Sequence, residues 1–153
     1  NYSETLGADV PVCLKSKPAI MKGIGEKITP VEIPEDLQII LVKPKTGLST
    51  IEIFNSLENK NNTEMPVFLG TKSPDIFFNH LKFLRNDLLH NAIYHEPEIK
   101  KIINFLKTQS GVNYLQISCT GTTCFGLFYN SKNSKLAFKN VKHHFPAYVC
   151  DIT

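Results

Sequence analysis

Near its start, the 153-residue chain carries a single carboxylate in a constrained setting, Gly7-Ala8-Asp9-Val10-Pro11. Proline pushes the residue before it toward extended backbone and glycine permits a tight approach, so Asp9 is expected to project from a fixed turn. A carboxylate held this way can accept the hydrogen bond of a hydroxyl nucleophile, aim it and take its proton. An aspartate between glycine and proline is also an ordinary turn former. A second candidate is Ser118-Cys119-Thr120-Gly121-Thr122-Thr123-Cys124, set between two aromatic and β-branched runs. A strand-loop-strand position offers backbone N–H groups and hydroxyls to a phosphate, and by itself it is simply a turn. The third is Ser49-Thr50 ahead of Phe54. Thr50 can donate to a substrate phosphate or cap a helix, and Phe54 can stack on a ring or fill a core.

Other reactive residues point away from metals and disulfides. His90 and His95 are five apart and His143 and His144 adjacent, so neither pair has the i, i+4 spacing of a helical zinc site, and no metal is expected. Cys13, Cys119, Cys124 and Cys150 show no C-x-x-C spacing and sit in apolar, strand-like surroundings, the pattern of buried thiols in a reducing cytosol. A net charge of +3, from 17 basic and 14 acidic residues scattered along the chain, is too weak for a nucleic-acid footprint. No apolar run approaches the roughly 20 residues of a membrane span, and no export signal opens the chain. A soluble, cytoplasmic protein without membrane partners is the reading.

The elements that must position these residues are legible as patterns. Ala19 to Ile28 holds Gly23-x-Gly25 between two short apolar stretches, a hairpin, and Pro30 and Pro34 mark a domain boundary after it. Leu37-Gln38-Ile39-Ile40-Leu41-Val42 reads as a central strand buried on both faces. Thr50 to Leu57 reads as a short helix capped by Ser49, with Ile53, Phe54 and Leu57 on its apolar face. Ser73-Pro74-Asp75 opens a long helix through Phe77, Leu81, Leu84 and Leu88. A second helix, with Ile99, Ile102, Ile103 and Leu106, is expected to pair with it and stops at Gly111. Strands flank the loop at 118–124, Ser134 opens a last helix carrying Leu136, Val141 and Phe145, and Ala147 to Ile152 closes as a strand. Residues 58–64 are polar enough for a mobile loop. From residue 37 the order β, α, α, α, β, β, α, β is that of an α+β, ferredoxin-like split βαβ sheet with helices on one face. Residues 1–6 read as the tail of a helix, and without an opening methionine the start reads as a cut.

Taken in order, Gly7-Ala8-Asp9-Val10-Pro11, Gly23-Ile24-Gly25-Glu26, Ser49-Thr50 with Phe54, and Ser118 through Phe125 resemble the kinase family that phosphorylates 4-diphosphocytidyl-2-C-methyl-D-erythritol, a branch of the GHMP small-molecule kinases. The resemblance covers nearly the whole chain and corresponds to the second half of such an enzyme. It implies a ferredoxin-like C-terminal domain over residues 35–153 and, over residues 1–34, a remnant of the N-terminal nucleotide-binding domain whose missing half is a partner. It also implies transfer of phosphate from ATP, with Mg2+ carried by the nucleotide, to a hydroxyl of a cytidine-diphospho alcohol in non-mevalonate isoprenoid synthesis. In that scheme Asp9 is catalytic, and Thr50 and Phe54 bind substrate. Stacking of the Phe54 ring on cytosine resembles base stacking worth ~1–3 kcal/mol in single-strand binders. Thr120, Gly121 and Thr122 support the nucleotide-phosphate loop.

Two features depart from or extend that pattern. Cys119 stands where the family usually has glycine, which opposes a left-handed backbone there. Asn86-Asp87 matches a family pair read as interdomain support, or as a solvated helix face. The family's lysine beside the aspartate and its Pro-x-x-x-Gly-Leu-Gly-Gly-Gly-Ser-Ser loop do not occur among the 153 residues. Positioning dominates phosphoryl-transfer catalysis, so the chain alone is expected to be inactive. The alternatives are another GHMP kinase of homoserine or mevalonate type, and a non-catalytic ferredoxin-like binding or regulatory module.

Overall fold

Strand alternation decides where the core lies. In Gln38–Lys43, Ile40 and Val42 are fully buried while Ile39 and Leu41 on the other face are half-buried, as the two-residue period requires. The computed structural model describes Gly7 and residues 9–153, so the helix tail expected over residues 1–6 lies outside the described residues. Element order is α1 Val10–Lys15, β1 Ala19–Lys22, β2 Lys27–Pro30, β3 Gln38–Lys43, α2 Thr50–Asn55, α3 Pro74–Leu81, α4 Leu89–His95, α5 Glu98–Lys107, β4 Val112–Ile117, β5 Cys124–Phe128, α6 Ser131–His144 and β6 Val149–Ile152.

Four strands form an antiparallel sheet in the order β4-β5-β3-β6. β3 and β4 run parallel with β5 inserted between them, the split βαβ arrangement of the ferredoxin-like α+β fold. Pairing Ile40 with Gly126 and Ile152, and Val42 with Cys124 and Cys150, puts these residues on one face. There they join Ile117 and Phe128 under Ala92 of α4, Ile99, Ile102 and Leu106 of α5, and Ala137 and Val141 of α6. The α5 set keeps the i, i+3, i+7 spacing of an amphipathic helix. The opposite face is half-covered: Tyr114, Phe125 and Leu127 line a shallow groove with Met65, Leu81 and Leu84.

Four expectations need correction. The long helix foreseen from Pro74 through Leu88 ends at Leu81, and a separate helix, α4, starts at Leu89. Ahead of α4, Asn86 Oδ1 accepts the Leu88 N–H at 3.0 Å and its carbonyl the Leu89 N–H at 3.0 Å, an Asx-type turn in place of the helical ladder. α6 starts at Ser131, three residues before Ser134, because Asn130 caps it by accepting from Lys132 and Asn133 N–H; Leu136, expected inside, is exposed. Val10 is helical rather than extended, since a proline in the first helical turn gives up only an N–H that has no partner there. Cys13 and Cys119 are exposed rather than buried, while Cys124 is buried.

The chain divides into two compact units. One comprises the described residues up to Glu35 together with Val67–Phe77; the other is Asp36–Pro66 with Phe78–Thr153. In the first, β1 and β2 pair as an antiparallel hairpin, Ala19 opposite Pro30 and Lys22 opposite Lys27. Thr71 donates its N–H to the Glu32 carbonyl at 2.8 Å, and Gly70 sits at φ +85°, where an added Cβ would meet the Glu32 nitrogen at 2.8 Å. No other residue fits that crossing.

Candidate functional site

The loop between β4 and β5 is closed by its own main chain. Ser118 N–H donates to Thr123 C=O at 2.8 Å, and Gly121 N–H to Ser118 C=O at 2.9 Å. Cys119 holds φ +51° and Gly121 φ +90°, so the left-handed backbone at 119 persists although the residue carries a Cβ. Gly121 has no such freedom to change. A Cβ there would stand 3.2 Å from Ile99 Cδ1 and 3.4 Å from Leu48 Cδ1, so the loop lies directly on the α4–α5 layer.

Side chains from distant elements fix the loop. Thr120 and Thr122 are buried; the Thr120 hydroxyl lies 3.3 Å from that of Thr50, and the Thr122 hydroxyl donates to Thr46 C=O at 3.3 Å. These hydroxyls face inward, and the exposed apex is formed by Ser118 and Cys119. Asn86 reaches the loop from the break between α3 and α4. Its Nδ2 donates to Ile117 C=O at 3.3 Å and to Cys119 C=O at 2.8 Å.

α2 brings Thr50 to this loop because its ends are pinned. Ser49 Oγ accepts the Glu52 N–H, Ile53 is fully buried, and Asn91 Nδ2 of α4 donates to Ser56 C=O at 2.7 Å. Phe54, one turn beyond Thr50, is 47% exposed, so it presents its ring to solvent instead of joining the core. Beside α2 and α4 runs a cleft of about 520 Å³ whose lining includes Ser56, Glu58, Asp87, His90, Tyr94 and His95.

Asp9 belongs to the other compact unit. It occupies the N-cap of α1 with φ −86° and ψ −13°, it is exposed, and its carboxylate caps no backbone N–H of that helix. Its main-chain carbonyl accepts from Cys13 N–H at 3.1 Å. The structure thus brings Thr50, Thr120, Gly121 and Thr122 together with Phe54 close by in sequence, and describes Asp9 separately. Sequence reasoning singled out Asn86 with Asp87 as interdomain support or a solvated helix face, and missed that its amide holds the loop.

Burial keeps the neighbourhood behind the loop chemically quiet. Burial pushes the Cys124 thiol up to about 12, so it stays protonated and unreactive at neutral pH. At the start of α5, hydrogen bonds from Lys101 and Tyr148 hold the Glu98 carboxyl below its usual range, and the bond to Glu98 pushes Tyr148 up to about 12. Among the described residues, no cluster of His, Cys, Asp or Glu could hold a metal ion, and no helix is long and apolar enough to cross a membrane.

Comparison with known proteins gives a consistent picture. No protein-family model matches the chain. It is 36% identical over 143 residues to the 4-diphosphocytidyl-2-C-methyl-D-erythritol kinase of Chelativorans sp., covering 94% of this chain and 48% of the relative. It is 35% identical to the enzyme of the same name from Rhizobium meliloti, and 37% identical to that of Wolbachia pipientis. The chain therefore spans about half the length of the curated relatives it matches. Among solved structures, a 4-(cytidine 5'-diphospho)-2C-methyl-D-erythritol kinase aligns over 97% of this chain and 54% of its own with TM-score 0.72 at 20% identity. Homoserine kinase from Cytophaga hutchinsonii aligns over 94% of this chain and 49% of its own with TM-score 0.56 at 16% identity, a likeness of fold.

Proposed function

The chain is a relative of the 4-diphosphocytidyl-2-C-methyl-D-erythritol kinases, consistent with a C-terminal part of such an enzyme with the GHMP fold, and from that premise we propose that the protein it represents phosphorylates 4-diphosphocytidyl-2-C-methyl-D-erythritol in non-mevalonate isoprenoid synthesis. The observation that carries the reading is the joining of Thr50, one turn before an exposed Phe54, to the clamped loop at Thr120. That arrangement puts a candidate acceptor-binding helix and a candidate phosphate-facing loop on one rigid support.

ATP supplies the phosphoryl group when bound, with Mg2+ carried by the nucleotide. On this reading the residues present fit a supporting role toward it: Thr120, Gly121 and Thr122 hold the loop, while the lysine and glycine-rich donor loop of the family lie outside these 153 residues. Residues up to 34 are then part of a nucleotide-binding domain and residues 35–153 the C-terminal domain, of which Val67–Phe77 cluster with the former. Thr50 donates to substrate phosphate, the Phe54 ring stacks on cytosine, and Asp9 accepts the hydrogen bond of the substrate hydroxyl, aims it and takes its proton. Work in the cytoplasm, on a small soluble substrate, accords with that chemistry.

The test is the full-length protein assayed with ATP and the cytidine-diphospho alcohol. Asp9→Asn keeps size and much of the hydrogen bonding but removes the proton acceptor, so kcat is expected to fall by about 10²–10⁴-fold with substrate binding retained. A kcat within a few-fold of the original in a folded variant would reduce Asp9 to a turn residue. The 153-residue chain by itself is expected to transfer no phosphate above background.

A further inference from the structure

Asn86 makes more contact with the loop than any role assigned above requires. Its amide orientation follows from its neighbours: two carbonyls, of Ile117 and Cys119, face one end, and the Leu88 N–H faces the other. Only a donor satisfies the first and only an acceptor the second, so Nδ2 points into the loop and Oδ1 into the start of α4.

A trans peptide is planar, with its carbonyl and N–H on opposite sides. Holding the Cys119 carbonyl toward Asn86 therefore turns the Thr120 N–H the other way. The same grip on Ile117 C=O turns Ser118 N–H to its partner at Thr123. This happens where Cys119 stays left-handed at φ +51°, a conformation that residues with a Cβ resist, so the loop needs an external hold at that point. If the Cys119–Thr120 peptide rotated, a carbonyl oxygen would stand where an N–H had been, and an anion would meet a negative instead of a positive dipole end.

We infer that Asn86 is the positioning residue of loop 118–123, setting the direction of its peptide dipoles toward the phosphates of a donor nucleotide. The nucleotide part rests on the kinase reading above; the clamp itself does not. Asn86→Asp separates the two ends of the side chain, since a carboxylate still accepts the Leu88 N–H but cannot donate to the two carbonyls. Asn86→Ser, shorter and uncharged, serves the same purpose should the carboxylate unfold the chain.

Two measurements decide the matter. In the 153-residue chain, amide hydrogen exchange at Ser118 and Gly121 is expected to quicken at least about tenfold in either variant, with Ile40 and Val42 unchanged. Unaltered exchange at those two amides in a folded variant overturns the clamp. In the full-length protein, the KM for ATP is expected to rise about tenfold or more while the KM for the cytidine-diphospho alcohol stays within about twofold. A residue that merely starts α4 would move both or neither, and equal changes overturn the positioning role. An inactive wild-type full-length protein would sink the kinase reading and the nucleotide half with it, and leave the exchange result to decide the clamp.

Discussion

Two side chains from other elements, Asn86 and Thr50, and the Thr46 main-chain carbonyl meet the loop between β4 and β5, whereas the turn carrying Asp9 is described by local main-chain bonds, Val10 N–H to Gly7 C=O and Cys13 N–H to Asp9 C=O. Both places hold residues suited to chemistry. The loop lies on a core in which Ile99, Ile102 and Leu106 are fully buried; the turn precedes a six-residue helix with Pro11 as its buried residue. Orientation bought from tertiary contacts is insensitive to small local changes, while a helix cap with an exposed carboxylate is tuned by whatever approaches it. The loop is thus held by tertiary contacts and the Asp9 turn by local ones.

Thiol chemistry gives the widest separation with which to break that comparison. Cys124 sits beneath the loop with its thiol pushed up to about 12 by burial, and Cys13 and Cys119 are exposed. Because the thiolate is the reacting form, alkylation at pH 8 is expected to be at least ~10³-fold slower at Cys124 than at the exposed pair. Reactivity at Cys124 should climb only as pH rises toward 12. Mass-resolved labelling that finds the three equally reactive would show that the layer under the loop opens freely.

Next in size is Ile99→Ala. It removes a fully buried core side chain whose Cδ1 would lie 3.2 Å from a Cβ at Gly121, and a loss of about 2–5 kcal/mol is expected in denaturant unfolding. Ile24→Ala in the hairpin, 84% exposed, should stay within about 0.5 kcal/mol. Similar losses at both positions would erase the distinction between the two regions.

Smaller still are the two changes inside the loop. Gly121→Ala forces a Cβ into φ +90° against Ile99 and Leu48, at a cost of about 1–2 kcal/mol. Cys119→Gly should act in the other direction, by up to about 1 kcal/mol, because relief of the left-handed strain exceeds the extra freedom glycine gives the unfolded chain. Calorimetric melting of the pair checks the signs. A stabilising Gly121→Ala would mean that the loop can move off the helices.

What the sequence made legible was local. β3 showed as a short, nearly continuous apolar run, α2 as a capped short helix, and the β4-loop-β5 unit as two aromatic and β-branched runs around Thr-Gly-Thr-Thr, and these carry the split βαβ order. What stayed hidden depended on partners far away in sequence. Leu81, Leu84 and Leu88 keep helical spacing straight across residues 82–88, where the chain leaves the helix and Asn86 engages Leu88 N–H and carbonyls more than thirty residues on. Ser134 looked like a cap, but its hydroxyl donates to Ser131 C=O inside α6, where Ser134 is fully buried. Phe54 could be written as core or as exposed ring with equal right, since the helix period leaves open which side of Ile53 the neighbours will cover. Cys119 opposed a left-handed backbone on residue preference alone; the Asn86 bond to its carbonyl supplies what the side chain withholds.

The split strand order has a consequence for how the chain reaches this state. β4 and β5 are consecutive and can zip early across a short connection, yet β3 must pair with β6 across more than a hundred residues, Ile40 to Ile152. Loop-closure entropy delays such distant pairings. The ties that fix the loop are themselves remote, with Asn86 to Cys119 spanning 33 positions, Thr50 to Thr120 spanning 70, and Thr46 to Thr122 spanning 76. The hairpin that carries the loop therefore belongs to the early nucleus, while the geometry of its apex matures only as the last long-range contacts close, so that substitutions at Thr50 or Asn86 should speed unfolding and leave the folding rate nearly untouched.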